Sequence, residues 1–356
     1  MGISSVKIVG SGLIGTSIGL ALAQKSVKIL MQDYSVDSAS LAQSLVDPSA
    51  KFTPDHVFDV VVIAVPPSAF RDVLVIEKEL NTTSTFVDVL SIKTKPQLEV
   101  ETLNGLQERF VGSHPMAGRE VSGAKSARGD LFTGRSWIFC PTEQTAKASE
   151  KTALELIELC GAIAVRMSAQ EHDQAMALVS HAPQILASLM AANLNGANPE
   201  WLNLIGQGFK DMTRIADSDS NLWQEILSEN STNIADVLSK VRKGLERIES
   251  NLADPNSAKE VIESGNKGRS LIPGKHGGAA RKYIYLHIVI DDRAGQLAAI
   301  FNDCAKADIN IEDVSIEHTP GQNTGLVTLS VLEAKKAEHL EQFLITAGWK
   351  VHSTSK

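Results

Sequence analysis

Val6-Lys7-Ile8-Val9-Gly10-Ser11-Gly12-Leu13-Ile14-Gly15 reads as a short strand running into a glycine loop, and Ile18, Leu20, Ala21 and Leu22 carry it on as a helix. Each glycine has its own physical reason. The first makes the tight turn, the second lets the backbone approach a pyrophosphate, and the third lets helix and strand pack closely. The amides at the helix start are then free to receive phosphates. A second strand, Val27 to Gln32, ends at Asp33. A carboxylate at this distance accepts hydrogen bonds from an adenine-ribose 2'-hydroxyl and repels a 2'-phosphate, so NAD is expected over NADP. Gly10, Gly12, Leu13, Ile14, Gly15 and Asp33 are thus the expected cofactor contacts.

The rest of the first 166 residues fits an open α/β sheet. Phe58 to Val65 is a continuous apolar run, as in a parallel strand buried on both faces, and Pro66-Pro67 stops it on the cofactor side. Thr85 to Val89 runs into Leu90-Ser91-Ile92-Lys93. The run Arg109 to Gly112 leads to Ser113-His114-Pro115-Met116-Ala117-Gly118. Val65, Pro66, Ser91 and His114 therefore fall at strand ends, where such sheets bind ligands. A histidine there is placed for proton chemistry at neutral pH. Ser91 is read either as a hydrogen-bond partner that orients His114 or as a helix N-cap. A strand at Trp137 to Pro141, a helix from about Thr145 to Cys160 and a strand Ala162 to Arg166 complete this part.

From Ser168 to Leu252 strand signal gives way to helical periodicity, and an all-helical substrate and dimerisation domain is placed at 167–264. The first long helix carries Glu171-His172-Asp173 and Ser180-His181-Ala182-Pro183-Gln184. Pro183 predicts a kink or local irregularity. Ser180 and Gln184 share one face, whereas His172 and His181, nine residues apart, point to opposite sides of a straight helix. Lys210 and Arg214 are spaced i,i+4 and would together clamp a substrate with more than one carboxylate, or else form a solvated cationic face with Asp211 and Asp217. Trp223 is expected to be a core or interface aromatic. Residues 254–282 lose periodicity and read as a linker, placed at 265–281. The final segment, 282–356, reads strand, helix, strand, strand, helix, strand, the ferredoxin-like plan.

Bulk properties narrow the function. With 356 residues, 43% of them hydrophobic, and a net charge of −8, the chain suits a globular multidomain protein that binds small molecules, with no nucleic-acid or membrane partner expected. Cys140, Cys160 and Cys304 have neither disulfide nor zinc spacing, so no metal site is expected and a reducing, cytoplasmic setting fits. No apolar run reads as membrane-spanning.

Taken together, the glycine loop at 10–15, Val-Asp-Val-Leu-Ser-Ile-Lys at 87–93, Gly-Ser-His-Pro-Met-Ala-Gly-Arg-Glu at 112–120 and Phe-Lys-Asp-Met-Thr-Arg-Ile-Ala at 209–216 followed by Trp223 resemble the prephenate/arogenate dehydrogenase family. Asp-Arg-Ala-Gly-Gln-Leu at 292–297 and Asn-Ile-Glu-Asp at 310–313 are similar to an ACT module. The resemblance implies a Rossmann-type NAD-binding domain, an all-α domain forming a homodimer or dimer of dimers, and a C-terminal ACT domain. It also implies NAD-dependent oxidative decarboxylation of a cyclohexadienol. His114 would accept the ring-hydroxyl proton, with Ser91 bridging histidine and cofactor. Arg214 and Lys210 would hold carboxylates, Trp223 would support Arg214, Glu120 would gate the pocket, and Ser180 and Gln184 would lie near the substrate side chain. Gln184 stands where many prephenate-using members have a second histidine, which leaves arogenate as the alternative substrate. Gly295, Asn310 and Ile311 are the ACT residues expected to bind tyrosine or phenylalanine. Ala294 replaces the usual proline in that turn.

Two rivals remain. A β-hydroxyacid dehydrogenase would rely on a lysine in its helical domain and lack the 113–118 segment and the terminal module. An amino-acid sensor would bind NAD without turnover.

Overall fold

A computed structural model describes residues 2–118, 123–272, 283–318 and 323–354. The chain forms two compact units, Met1–Lys243 and Gly244–Lys356.

The first unit is built on a seven-stranded sheet. Its strands are β1 (Ser5–Val9), β2 (Lys28–Gln32), β3 (Val60–Ile63), β4 (Thr85–Asp88), β5 (Phe110–Pro115), β6 (Ser136–Cys140) and β7 (Ile163–Arg166), in the order 2-1-3-4-5-6-7. All neighbours are parallel except β5 and β6. Alternation along each strand sends side chains to two cores. Val6, Ile8, Val60, Val62 and Val111 pack under α1 (Leu13–Ala23), α2 (Val36–Val46) and, further along the sheet, α5 (Lys147–Leu159). Val61, Ile63, Phe86 and Phe110 pack under α3 (Pro67–Leu80) and α4 (Thr94–Glu101). Covering both faces is what makes the strands read as near-continuous apolar runs.

The chain winds out from β1 to β2, then returns to β3 on the other side of β1. The glycine loop sits at this switch point. A Cβ on Gly10, whose φ is +108°, would lie 2.1 Å from the Ala64 carbonyl oxygen. One on Gly15 would lie 2.1 Å from the Gly10 carbonyl oxygen. A Cβ on Gly12 would meet nothing within 4 Å. Two glycines are thus demanded by packing, while the third faces open space.

Helices follow in α6 (Ala169–Met176), a π-helical turn (Ala177–His181), α7 (Ala182–Ala192), α8 (Pro199–Leu202), α9 (Gln207–Thr213), a 3-10 turn (Arg214–Ala216), α10 (Ser220–Glu229) and α11 (Ser231–Ser250). A Ser168/Glu171 capping box starts α6. The stretch 169–192 is helical without a break and, by length and composition, apolar enough to cross a membrane. This corrects the expectation that nothing in the chain reaches that length. The helix belongs to the fold, because its inward face carries His172, Asp173, His181 and Gln184, all buried and all hydrogen-bonded within the unit.

The second unit begins within α11 and contains α12 (Pro255–Arg269), part of the stretch expected to be linker. This helix buries no residue, so no apolar stripe marks it. Asp254 accepting from the Asn256 amide, Pro255 in the first turn, and Lys267 and Arg269 in the last account for it instead. Residues 273–282 of the expected linker lie outside the described residues. The remainder runs β8 (Ile284–Asp291), α13 (Gln296–Lys306), β9 (Asp313–His318), β10 (Thr324–Val331), α14 (Ala334–Thr346) and β11 (Lys350–Thr354). The four strands form one antiparallel sheet in the order 11-8-10-9, with Leu286, Ile288, Val327 and Leu329 buried beneath Ile300, Cys304, Leu340 and Leu344.

The three glycines should separate cleanly in experiment. Gly10→Ala and Gly15→Ala each place a Cβ inside a backbone contact and are expected to lower unfolding free energy by at least about 2 kcal/mol in urea titrations. Gly12→Ala should stay within about 1 kcal/mol of the parent, while its affinity for dinucleotide, followed by fluorescence quenching, falls at least about tenfold, the equivalent of 1.4 kcal/mol.

Candidate active site

β5 pairs with β4 only at Phe110 and Val111, then leaves it and pairs antiparallel with β6, His114 lying opposite Ile138. His114 is therefore inside a strand rather than just beyond one. A partner strand more than twenty residues downstream decides this, which no local reading of 110–118 contains. Alternation places His114 on the same sheet face as Phe110, the face covered by α3 and α4 and, at this end, by α6 through Met176 against Ile138 and Cys140.

A buried polar lattice holds the strand end. Asp88 accepts from the Ser113 amide at 2.8 Å, the Ser113 hydroxyl donates to the Asp88 carbonyl at 2.6 Å, and the Trp137 indole donates to Ser113 Oγ at 2.9 Å. Lys93, fully buried, forms an ion pair with Asp88. Buried charges of this kind persist only when paired and hydrogen-bonded.

Across this lattice comes α6. Asp173 accepts from the Lys93 amide (2.8 Å) and the Thr94 amide (2.8 Å), capping α4, and also pairs with His172 Nδ1 at 2.8 Å. His172 Nε2 lies 2.9 Å from His114 Nδ1. Asn230 Nδ2 donates to the Asp173 carbonyl (2.7 Å) and pairs with His181 Nδ1 (3.1 Å). His172 and His181 thus both face inward, against the expectation for a straight helix. The π turn at 177–181 takes an extra residue into its hydrogen-bonded rings and so reduces the rotation per residue. Pro183 supplies the cause: it has no N–H to bond Val179, and its ring crowds that carbonyl.

Ser91 is half-buried and has no hydrogen bond to His114; His172 takes that place. Nor does Ser91 cap α4, whose N-cap is Lys93 and whose capping carboxylate is Asp173. Gln184 is buried beside Ser188 at 3.4 Å, and Ser180 is half-buried in the π turn. Lys210 is exposed on α9, while Arg214, also exposed, opens the 3-10 turn, so the pair does not share one straight helix face. Both α9 and that turn pack against α7, the helix of Gln184. Trp223 sets its ring edge-on to His181, with centroids 6.0 Å apart, rather than lying in a core. Glu120 lies outside the described residues.

On the cofactor side, Asp33 accepts from the Ser11 amide at 2.7 Å and the Ser35 amide at 3.0 Å. This ties the acid to the glycine loop and leaves lone pairs for a ribose. Gly12 is the N-cap of α1 with no side-chain cap, Leu13 and Ile14 are half-buried in its first turn, and Val65 and Pro66 precede α3. Open space at Gly12, uncapped helix amides and Asp33 together fit a dinucleotide. Among the described residues no group of acids, cysteines and histidines could hold a metal ion.

The imidazoles share one electrostatic setting. Burial first, then the charges of His172 and Lys93, hold His114 well below the ordinary value of 6.5. Burial also lowers His172, against the pull of Asp173, and takes His181 down to about 4. Burial pushes the Cys140 and Cys160 thiols up to about 12 and Cys304 to about 11, so all three are inert apolar fillers.

A doubly wound sheet with a phosphate-accepting loop at its switch point, and a neutral histidine on β5 under a helical layer, defines a dinucleotide-dependent dehydrogenase. The chain belongs to the prephenate dehydrogenase family. The family model for the nucleotide-binding domain matches residues 18–166, and that for the dimerization domain matches 168–263. The chain is 33% identical to a probable prephenate dehydrogenase, NovF, of Streptomyces niveus, over 97% of this chain and 99% of that one. It is 27% identical to a prephenate dehydrogenase of Lactococcus lactis, covering 95% of each. Among solved structures, prephenate dehydrogenase from Aquifex aeolicus in complex with hydroxyphenyl propionate and NAD+ superposes with a TM-score of 0.67 at 29% identity, covering 76% of this chain and 98% of that one.

Acid should weaken this site. Above pH 6.5 His181 is neutral whether folded or unfolded. Between 6.5 and about 4 the unfolded chain takes a proton that the folded one refuses, so stability falls as pH falls, by about 3 kcal/mol in full. His114 and His172 shift in the same direction and add to it. Urea midpoints measured from pH 7.5 to 4.5 are expected to drop steadily, and His181→Gln to flatten the slope. An unchanged slope in that variant would remove His181 as its source.

Proposed function

We propose that the protein is an NAD-dependent prephenate dehydrogenase, converting prephenate to 4-hydroxyphenylpyruvate in tyrosine biosynthesis. The observation that carries the reading is His114, neutral and half-buried at the cofactor end of the sheet, with Nδ1 engaged by His172 and Nε2 without a partner among the described residues. Family membership and the pairing of NAD+ with a hydroxyphenyl acid in the Aquifex structure support it.

A nicotinamide dinucleotide held at the Gly12 loop and Asp33 would supply the acceptor for the hydride on the hydroxyl-bearing ring carbon. His114 Nε2 takes the hydroxyl proton as that carbon becomes a carbonyl. The bond from the ring to its carboxylate then breaks, CO2 leaves, and its electron pair enters the ring. The resulting phenol oxygen recovers the proton, so prephenate and NAD+ give 4-hydroxyphenylpyruvate, CO2 and NADH with no net proton. A base whose value is lowered remains competent below pH 6.5. In this reading Arg214 and Lys210 bind the substrate carboxylates, Ser91 lines the cofactor side, and Gln184, Ser180 and Trp223 surround the side-chain end. The amide at Gln184 carries no charge, which makes arogenate the substrate to compare. NADH production is expected with prephenate and NAD, exceeding that with arogenate or with NADP. His114→Asn should lower kcat by about 10²–10⁴-fold with NAD affinity retained. Unchanged turnover would rule out His114, and NAD binding without turnover of either substrate would favour a sensor.

We further infer that 283–354 is an ACT module of the ferredoxin-like plan that binds tyrosine or phenylalanine, and that the helical layer forms a dimer. Gly295 caps α13 with φ +89°, Asn310 donates to Glu312 at 2.7 Å, and Ile311 is half-buried. Exposed Leu189, Met190, Trp201 and Leu202 supply an apolar surface for a second copy. Turnover and light scattering of the full-length protein, with and without each amino acid, check both. Inhibition relieved by Asn310→Ala in a dimeric protein is expected. Equal turnover removes the feedback, and a monomer removes the dimer.

A further inference from the structure

We propose that His172 and Asp173 are positioning residues that fix His114 in the tautomer with its proton on Nδ1, so that Nε2 offers a lone pair to the substrate hydroxyl. The proposal rests on the reading of His114 given above.

The argument is one of donors and acceptors. An ionised carboxylate only accepts. Asp173 has both oxygens engaged by the α4 amides, with Oδ1 also paired to His172 Nδ1. Its carboxyl is stabilised in the ionised form by those hydrogen bonds and by the N-terminus of α4. His172 Nδ1 therefore donates. A neutral imidazole has one donor and one acceptor, so His172 Nε2 accepts. The atom 2.9 Å from it, His114 Nδ1, must then donate, and the lone pair falls on His114 Nε2. Lys93, buried close by and paired to Asp88, disfavours a second positive charge on either ring and so keeps both in the neutral form that this relay requires.

The relay crosses between layers. It starts at amides of α4, passes through two side chains of α6, and returns to β5. The tautomer of the base is thus tied to the docking of α6 on the sheet, and Asn230 reinforces it by holding the Asp173 carbonyl.

Nitrogen-15 NMR of histidine-labelled full-length protein tests this directly: in the parent, His114 Nε2 should be unprotonated and His172 Nδ1 protonated. In Asp173→Asn the relay reverses where the NH2 faces His172 Nδ1 and donates to it, putting the second proton on His114 Nε2, the wrong side for a base; where the NH2 faces Thr94, the oxygen stays on His172 and the relay persists. The kcat of the variant should fall in proportion to the fraction of His114 protonated on Nε2 in its spectrum, with KM for prephenate and NAD affinity within about threefold. His172→Gln, which preserves one acceptor and one donor, should recover at least tenfold more kcat than His172→Leu, which preserves neither.

A parent His114 protonated on Nε2, a kcat in Asp173→Asn that does not follow its His114 tautomer, or equal kcat in the Gln and Leu variants, would overturn the proposal. Should Asp173→Asn fail to fold, the Gln and Leu pair decides it. Full turnover in His114→Asn would instead overturn the assignment of the base, leaving the tautomer shifts to report on the relay alone.

Discussion

The carboxylate of Asp173 is the constraint on which the site depends. With two amides of α4 on one side and His172 on the other, it joins the sheet-covering helix to the helical layer and sets the orientation of the imidazole chain leading to His114. A hydrogen bond to a charged partner is worth more than a neutral one, and here the charge also meets the positive end of a helix. Around it the docking is repeated more weakly: Glu225 accepts from the amide and hydroxyl of Ser68 at the start of α3, and Lys95 pairs with Glu229. The active site is thus assembled by interactions between elements far apart in sequence.

Two backbone irregularities make that assembly possible. At the glycine loop, two residues without side chains let β1, α1 and the strand-end turn after β3 approach to distances no Cβ would tolerate. At 177–181 the π turn before Pro183 rotates His181 to the same side as His172.

The electrostatics follow from the same packing. Burial lowers all three imidazoles, Lys93 adds to this at His114 and His172, and His172 adds to it at His114 and His181. The histidines are therefore neutral donors and acceptors at physiological pH, and hydrogen-bond polarity rather than charge distinguishes them. In the proposed reaction this setting suits a base that must be unprotonated before hydride leaves the substrate.

Much of this was legible from the chain alone. Val6–Gly15 followed by Asp33 specifies strand, loop, helix and acid because glycine geometry and hydrophobic periodicity are local properties, and the strands of both sheets follow from the same rule. His114 was visible as a candidate for that reason. Its neighbours were not. That Asp173 caps a helix eighty positions earlier, that His172 rather than Ser91 holds His114, and that His172 and His181 share a side depend on docking α6 against α4 and on a π turn. Helix α12 buries nothing and so writes no clear period into the sequence, and its last turns run into the stretch that reads as linker. Local sequence determined the elements and the cofactor loop, since those need only near neighbours. The tertiary structure alone decided the hydrogen-bond partners of the His114 imidazole, because these lead through His172 to a carboxylate whose position only the packed layers define.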